Sequence, residues 1–365
     1  MRGTYFTTAL RINNQAADYT ANILDWEQDT ITTMTSGSAN NYIIPLNSSV
    51  NFPIGTQLLV AQEGLGQTTI VATSGVTINA VGLSISSRYK SVALIQVALN
   101  EWDAYGTLDA SLYTARTTAF ASATAITDTT ILNALNTFDL GLISNGLDTK
   151  MKAIYPFVGS TATTQKYNFM DARDLDVAFR LQFFGGGTFS ANGYQPNGTN
   201  AYANTYVTPS TNLASDNLSI SYYSRTNVPM TVAQVLFDSF QGAGQCLQLF
   251  FESNILYFDN YNGTDARVSV AESRSQGMYM GNRLNATINK IVRNGSVIAS
   301  IASGGTGIRP TIPIYMSAAN TSGGAVAFNS LQTAFGSIGN GLTDTEATTF
   351  YNLVQAMQVS LARAV

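Results

Sequence analysis

Between residues 41 and 112 the apolar and polar positions follow the pattern of short β-strands. Apolar stretches at 56–62, 67–72 and 91–99 are separated by segments that contain glycine, such as Glu63-Gly64-Leu65-Gly66. Short strands with close turns favour a small antiparallel β module over a βαβ unit. Residues 1–40 show no clear period, and we interpret them either as an arm that attaches to a partner or as a disordered end.

A helical period replaces this pattern between residues 113 and 155. Thr127 or Asp128 is a candidate N-cap, and an apolar face with 4-3-4 spacing follows, made of Ile131, Leu135, Phe138 and Leu142. One interpretation is a short helical hairpin that packs on its own domain. The other is a helical neck, 113–155, through which identical chains associate. Fewer than three clean heptads are present, so the pattern alone favours the hairpin.

Residues 156–365 return to β structure and end in a helix. Asn262-Gly263 and Asn294-Gly295 each stand between two apolar stretches, which predicts two hairpins with type I′ turns. Residues 218–223 alternate polar with apolar, as a half-buried strand does. Many strands with hairpin connections indicate a two-sheet sandwich. A helix over 343–363 is predicted from its Thr343–Glu346 capping box, with Arg363 in its last turn.

Composition excludes several kinds of chemistry. The 365 residues include no histidine and one cysteine, Cys246, so nucleophilic sites that use histidine, imidazole metal sites, intramolecular disulfides and cysteine zinc sites are all excluded. Only 11 % of the residues are charged, whereas Thr, Ser and Asn number 43, 32 and 31. A net charge of −4 with scattered basic residues argues against nucleic-acid binding. No apolar stretch predicts a membrane span or a secretion signal.

Carboxylates are the remaining candidates for acid–base catalysis. The densest acidic cluster is Asp171, Asp174 and Asp176, which alternates with Arg173 and Arg180. Opposite charges at this spacing favour a structural ion-pair network. Glycoside hydrolysis stays open, since it requires only two positioned acids. We assign no catalytic residue.

Two further segments resemble ligand loops superficially. Asp259, Asn262 and Asp265 are candidate calcium ligands, but their spacing is not that of an EF-hand loop, and a polar hairpin tip is the preferred interpretation. Gly185-Gly186-Gly187 lacks the Gly-Lys-Ser/Thr of a phosphate loop and is interpreted as a kink or loop at a sheet edge. We therefore expect no cofactor, with calcium as the one candidate.

Aromatic residues interleaved with amides are the best candidates for ligand contact. The segment 194–204 contains four such residues: Tyr194, Asn197, Asn200 and Tyr202. An exposed aromatic ring packs on the apolar face of a sugar, and neighbouring amides hydrogen-bond to its hydroxyls. Core packing and turn formation are the alternative roles for each of these residues. A surface this poor in charge has little else to offer a ligand.

Three blocks of the chain resemble a signature in structural proteins of tailed bacteriophages. The first block covers 151–168 and opens with Met151-Lys152-Ala153-Ile154-Tyr155-Pro156-Phe157-Val158-Gly159, the second covers 174–181 and the third 196–203. In those proteins the signature opens a concanavalin A-like, or laminin-G-like, jelly-roll sandwich, here 156–365. The stretch 45–108 is similar to a β module of phage tail and fibre proteins. Gln165 departs from the pattern, since many relatives are expected to carry histidine there.

The resemblance implies a function for the whole chain. It implies a virion protein, a fibre or appendage of the tail or head, that displays the sandwich for adhesion to host-surface glycans. The N-terminal region would bind other virion proteins. A homotrimer would bury the face of Ile131, Leu135, Phe138 and Leu142. Laminin-G-like sandwiches often bind glycans, in some cases through calcium at the sandwich rim. The alternatives are a tailspike-type depolymerase that uses two carboxylates, and a decoration or connector protein without a ligand.

Overall fold

A computed structural model describes residues 10–85, 87–109, 113–261, 267–302 and 307–365. The chain divides into two compact units, Met1–Leu112 and Tyr113–Val365. Both units are mainly β, as predicted. In the described ranges no helix combines the length and the apolar character needed to cross a membrane.

The first unit is built from short strands. They are β1 (Arg11–Gln15), β2 (Tyr19–Thr20), β3 (Thr30–Met34), β4 (Asn40–Ile44), β5 (Gln57–Gln62), β6 (Thr68–Ala72), β7 (Thr77–Asn79), β8 (Ser84–Ile85), β9 (Lys90–Ala98), β10 (Glu101–Gly106) and β11 (Leu108–Asp109), with one short helix, α1 (Leu24–Glu27).

The pairing of these strands corrects the prediction of an antiparallel module. Strands β1, β3 and β5 pair in parallel in one sheet, and β2, β4 and β6 pair in parallel in a second sheet. The chain therefore winds through three coils, and each coil contributes one strand to each sheet. Antiparallel pairing begins after the three coils, where β8 joins β6 and β11 joins β8 in the second sheet, and where β9 joins β5 and β10 joins β9 in the first. Glycine-containing turns occur at coil corners as well as in hairpins, so their positions did not distinguish the two arrangements.

The first coil is polar where the later coils are apolar. Leu58 and Val60 of β5 are fully buried, whereas the first coil presents Asn13 and Gln15 to the same side of the sheet. Asn13 Nδ2 donates to Asp25 Oδ1 at 3.2 Å, and Asp25 is 4 % exposed. Terminal coils of repeat structures are commonly polar because no further coil covers them. Residues 11–40 are thus part of the sheets, which corrects the predicted arm over 1–40; residues 1–9 lie outside the described ranges.

The second unit contains most of the regular structure. Its helices are α2 (Ala115–Thr124), α3 (Thr129–Ser144), α4 (Ala162–Gln165), a 3-10 turn (Asp176–Ala178), α5 (Pro209–Asn212) and α6 (Asp344–Ser360). Its strands are β12 (Met151–Tyr155), β13 (Gln182–Phe184), β14 (Thr188–Ser190), β15 (Gly193–Gln195), β16 (Tyr202–Asn204), β17 (Leu218–Ser224), β18 (Gln234–Gly242), β19 (Gln245–Glu252), β20 (Ile255–Asn260), β21 (Val268–Ala271), β22 (Gly277–Asn285), β23 (Ile288–Arg293), β24 (Ser296–Ile301), β25 (Tyr315–Met316), β26 (Ala319–Thr321), β27 (Gly324–Val326) and β28 (Thr333–Gly339).

Two sheets face each other in this unit, which confirms the predicted sandwich. The inner sheet has the order β14-β15-β28-β17-β22-β23-β24, with β12 also paired to β28. The outer sheet has the order β13-β16-β25-β18-β19-β20-β21, and β26 and β27 extend it beside β18. Apolar side chains such as Leu236, Leu249 and Tyr279 fill the space between the two sheets. Cys246 is fully buried on β19.

The two predicted hairpins are present. Asn294 and Gly295 have φ angles of +48° and +76° between β23 and β24, as a type I′ turn requires. β20 and β21 pair antiparallel, although Asn262-Gly263 between them lies outside the described residues. The prediction of a half-buried strand at β17 is wrong, because all seven of its residues are buried.

A layer of helices covers the inner sheet and explains that burial. Phe138 of α3 packs on Phe335 of the sheet and Phe350 of α6, with ring centroids 5.8 and 6.4 Å apart. Leu135 and Leu142 are fully buried in the same cluster, and Ile131 packs against it. This face is therefore used within the chain, which corrects its assignment to a trimer interface. Residues 113–155 are part of the sandwich unit and not a separate neck.

The last helix is close to the prediction. Thr343 and Glu346 form the expected capping box, and the helix ends at Ser360. Arg363 lies beyond the helix and not in its last turn. Its guanidinium is buried and donates to main-chain carbonyls, including that of Phe157 at 2.8 Å.

Candidate functional site

Strands β13 and β16 place two aromatic and two amide side chains on the solvent-facing side of the outer sheet, and a third amide precedes β16. Phe184 stands opposite Tyr202, and Gln182 stands opposite Asn204. Ala203 is fully buried in the core, so the residues on either side of it face away from the core. Asn200 precedes this strand in the same alternation. We call Gln182, Phe184, Asn200, Tyr202 and Asn204 the aromatic–amide site.

The two rings form a stack at the edge of the sheet. The ring centroids of Phe184 and Tyr202 are 4.8 Å apart with an interplanar angle of 12°, and Tyr202 also contacts Tyr315 at 4.8 Å. Phe184 is 36 % exposed. Burial raises the pKa of Tyr202, so its hydroxyl stays protonated at neutral pH. In the described part of the chain β13 pairs with β16 alone, so the far side of the Phe184 ring is open to a ligand.

Backbone donors determine how the amides are oriented. Asn204 Oδ1 accepts from the backbone N–H of Tyr206 at 2.9 Å, and Asn200 Oδ1 accepts from that of Gly186 at 3.2 Å. A backbone N–H can only donate, so each acceptor must be the amide oxygen and not the nitrogen. Across the described ranges neither Nδ2 group donates to a protein acceptor. Both groups are thus available as donors to a ligand.

Of the four sequence-predicted glycan residues, two belong to this site. Tyr194 is fully buried on β15, 4.9 Å from the ring of Phe183, so the prediction that it contacts a ligand is wrong. Asn197 is exposed, but its Oδ1 accepts from the backbone N–H groups of residues 199, 200 and 201, each at 3.0 Å. It forms the turn that presents Asn200. Asn200 and Tyr202 remain as candidate contacts.

Three members of the site were not predicted. Gln182 and Phe184 lie in a strand of three residues, and Asn204 follows Tyr202 by two positions. Alternation within 200–204 would have identified Asn204. Nothing local indicates that 182–184 pairs with 202–204, because this contact depends on the folded sheet.

The glycine run beside the site is the sheet-edge loop that was predicted. Gly185 follows β13 with a φ of +72°, and a Cβ atom there would lie 2.1 Å from the carbonyl oxygen of Asn200. Only glycine combines this backbone angle with such a close approach. The loop thereby positions the Asn200 side chain through the N–H of Gly186.

The acidic cluster next to the site is an ion-pair network, as favoured from the sequence. Arg173 pairs with Asp171, and Lys166 and Arg180 both pair with Asp174, while Arg180 also reaches Asp176. Hydrogen bonds from Arg173 lower the pKa of Asp171 despite partial burial. The charges of Lys166, Arg180, Asp174 and Asp176 compensate each other, so this edge of the site has no local excess of either sign.

The calcium candidates do not form a described site. Asp259 is fully buried, and Arg267 binds both of its oxygens, at 2.8 and 2.6 Å. Asn262 and Asp265 lie outside the described residues. Within the described ranges, no group of three or more acidic or cysteine side chains is placed to hold a metal ion.

Two carboxylates lie on the side of the outer sheet that faces away from the core, but both are buried. Asp238 and Asp259 both stand opposite Gln248, one on each neighbouring strand, and both are 0 % exposed. A separate open cleft of about 770 Å³ lies between α2 and residues 169–173, and Asp171 supplies the one carboxylate in its lining. Neither place presents two accessible acids to a substrate.

Comparison with known proteins adds little to this description. No protein-family model matches the chain, and no curated protein matches it in sequence. The chain is similar to a solved structure described as "Cell entry of botulinum neurotoxin type C is dependent upon interaction with two ganglioside molecules", with 14 % identity over 58 % of this chain and 53 % of that one, at a TM-score of 0.41.

A second likeness is to the binding domain of botulinum neurotoxin DC in complex with rat synaptotagmin II, with 14 % identity over 57 % of this chain and 52 % of that one, at a TM-score of 0.40. The chain thus matches about half the length of each structure. With both TM-scores below 0.5, the description of the sandwich rests on its own strand pairing.

Proposed function

We propose that the chain is a bacteriophage virion protein, a fibre or appendage of the tail or head, whose sandwich adheres to host-surface glycans without catalysis. The aromatic–amide site is the observation that carries the adhesive part of this proposal. The resemblance of residues 151–203 to phage structural proteins supports the virion part.

The site combines the two interactions that a neutral sugar requires. The open side of Phe184 accepts the apolar face of a pyranose, and the amides of Gln182, Asn200 and Asn204 reach its oxygens. A single site of this kind binds weakly. Several copies on one particle raise the overall avidity far above the affinity of one site.

Assembly belongs to the same proposal. A homotrimer would require a surface other than the buried face of Leu135 and Phe138. We assign attachment to other virion proteins to the first unit, which leaves the second unit to contact the host. Gold-labelled antibodies against the chain, applied to purified particles, test this location in electron micrographs. Labelling of the capsid alone, with none at the tail, would contradict a role in tail-borne receptor binding.

A glycan array probed with the whole chain tests adhesion. We expect binding to a subset of neutral oligosaccharides and a loss of about fivefold for Phe184→Ala, since one ring contact is worth roughly 1 kcal/mol. Tyr105→Ala is the matched control, because Tyr105 is 57 % exposed in the first unit, far from the site in sequence. A flat array, or equal losses in both variants, would favour the connector protein without a ligand.

Neither the buried Asp238–Asp259 pair nor the cleft beside α2 offers the depolymerase alternative two accessible acids. Asp238 and Asp259 would have to be uncovered before a polysaccharide could reach them. Incubation of the chain with host polysaccharide, followed by an assay for new reducing ends, tests this directly, and release of fragments would overturn the non-catalytic proposal.

A further inference from the structure

Among the residues that the structure describes, the amide oxygens of the aromatic–amide site are hydrogen-bonded within the protein, and its amide nitrogens are not. The side-chain oxygens of its three amides are all occupied within the protein: that of Asn204 by the Tyr206 N–H, that of Asn200 by the Gly186 N–H and that of Gln182 by the Tyr206 hydroxyl. In the described structure none of the three amide nitrogens donates to a protein acceptor. The site therefore presents three unused amide donors to a ligand, whereas each amide oxygen already accepts at least one hydrogen bond.

The burial pattern arranges these donors around the rings. From Asn200 to Asn204 exposed or half-buried positions alternate with the fully buried Ala201 and Ala203. Alternate residues of a strand are about 6.7 Å apart, so Asn204 stands at that distance from Tyr202 on one side, and Asn200 lies in the bend that precedes Tyr202 on the other. Gln182 stands opposite Asn204 and adds a second donor at the same end.

We propose that this site selects N-acetylated hexosamines over sugars that carry only hydroxyl groups. The inference rests on the proposed glycan-binding function and names the ligand class for that same site. An acetamido carbonyl only accepts hydrogen bonds, so it matches a site whose unused amide groups are all donors. Its methyl group is apolar and packs beside an exposed ring such as Phe184. A hydroxyl group gains less here, since the amide oxygens that could accept its proton already accept a hydrogen bond from the protein.

The local charge favours an acetamido carbonyl over a carboxylate as the acceptor. The basic groups that precede the site in sequence are Arg180, Arg173 and Lys166. Arg180 pairs with Asp174 and Asp176, Arg173 with Asp171 and Lys166 with Asp174. No excess positive charge is left there to attract an acidic sugar. The ligand is therefore a neutral N-acetylated glycan.

Two disaccharides that differ only at C2 of each ring test the proposal. Chitobiose in its N,N′-diacetyl form and cellobiose have the same linkage, and this chitobiose carries an acetamido group on each ring where cellobiose carries a hydroxyl. Titration calorimetry with the whole chain should show chitobiose binding about five- to tenfold more tightly, the effect of one added hydrogen bond. Equal affinity, or tighter binding of cellobiose, would overturn the inference.

One isosteric substitution tests the donor directly. Asn204→Asp retains an oxygen for the Tyr206 N–H and replaces the Nδ2 donor with a second acceptor. We expect it to reduce the ratio of chitobiose to cellobiose affinity toward one, whereas Phe184→Ala weakens both sugars together. Asn285→Asp is the control, since Asn285 is exposed and its Oδ1 likewise accepts a backbone N–H, that of Thr287. An unchanged ratio in Asn204→Asp overturns the inference.

The failures of the two proposals are distinguishable. If both disaccharides bind equally, adhesion stands and the selectivity for N-acetyl groups fails. If the array and both titrations show no binding, the proposed function fails with it. Circular dichroism confirms that each variant is folded, and Asn200→Asp repeats the test at the other end of the site.

Discussion

Asp238 is the carboxylate whose surroundings alter its titration most. It accepts hydrogen bonds from Gln248 Nε2 and from the backbone N–H of Asn320, and it forms no ion pair in the described structure. Burial raises its pKa to about 7, and the charge of nearby Asp259 adds to the shift. In the unfolded chain the same carboxyl group has a pKa of about 4. The folded state therefore holds a proton that the unfolded state releases between these two values.

This difference predicts how stability depends on pH. The contribution of Asp238 to the free energy of unfolding is fully present below about pH 4. Between that pH and 7 it declines by about 1.4 kcal/mol per pH unit, and above pH 7 it stays constant. Asp238→Asn keeps an acceptor for Asn320 and cannot ionise, so we expect its stability to fall less over this range. Urea unfolding at several pH values measures the slope. A slope equal to that of wild type would contradict the prediction; Glu252→Gln, at an exposed position on β19, is the control.

Substitution of Arg363 alone is predicted to cause a large loss of stability. It is 1 % exposed and donates to five oxygens: Gln358 Oε1 and the carbonyls of Pro156, Phe157, Ala191 and Ala334. Burial lowers its pKa to about 9. Arg363→Met would leave these acceptors buried without a donor, at about 3 kcal/mol or more. Thermal unfolding should show this loss and little change for Arg274→Met, whose side chain is 63 % exposed. Equal midpoints would contradict it.

At the residue scale, composition predicted the kind of site better than its members. A chain poor in charge and rich in amides indicated neutral contacts, and the site is made of amides and rings. Tyr194 and Tyr202 have similar neighbours in the sequence, yet one is fully buried on the inner sheet and the other lies on the outer sheet. The choice between them depends on strand pairing across the sandwich, which local pattern does not contain.

At the scale of elements, strands were predictable and their partners were not. The stretches assigned to β5, β6 and β9 lie where the pattern placed them. Consecutive strands of a coil belong to different sheets, however. β3 therefore pairs with β5, and β4, which lies between them in the sequence, belongs to the other sheet. The same limit applies to β17, whose alternation indicated a half-buried strand. The helix layer that covers it comes from distant segments of the chain.

The contact between the two sheets predicts the effect of one added methyl group. Gly281 lies on β22, and a Cβ atom there would approach the ring of Phe258 on β20 to 2.2 Å. Gly281→Ala must displace that buried ring, and we expect a loss of about 1–3 kcal/mol. Gly244→Ala is the control, since a Cβ atom at that position has nothing within 4 Å. Chemical unfolding compares the two, and equal stability would show that the sheets move apart without strain.

At the scale of the molecule, core and charge both follow the division into two units. The core of the first unit contains only residues 19–108, and both clusters of the second contain only residues from 113 onward. The sequence of Met1–Leu112 has eight acidic and four basic residues, so it carries the whole net charge of −4. The second unit has fourteen of each and is neutral overall.

Separate cores predict that each unit folds alone. A chain of residues 113–365 should show the near-ultraviolet dichroism of packed tyrosines and a cooperative thermal transition, since its core lacks nothing from the first unit. Both tryptophans, Trp26 and Trp102, belong to residues 1–112, so tryptophan fluorescence of the whole chain follows the first unit alone. A non-cooperative 113–365 fragment would contradict the prediction.

The burial of Cys246 allows the local opening of the outer sheet to be measured by chemical labelling. It is the single thiol in the chain, it is 0 % exposed on β19, and burial raises its pKa to about 12. A thiol reagent can therefore react only after β19 separates from its neighbours. Its labelling rate, relative to that of the denatured chain, gives the free energy of this local opening. A ligand on the aromatic–amide site that stabilises the sheet would slow the labelling of Cys246, with no dye, tag or second cysteine introduced.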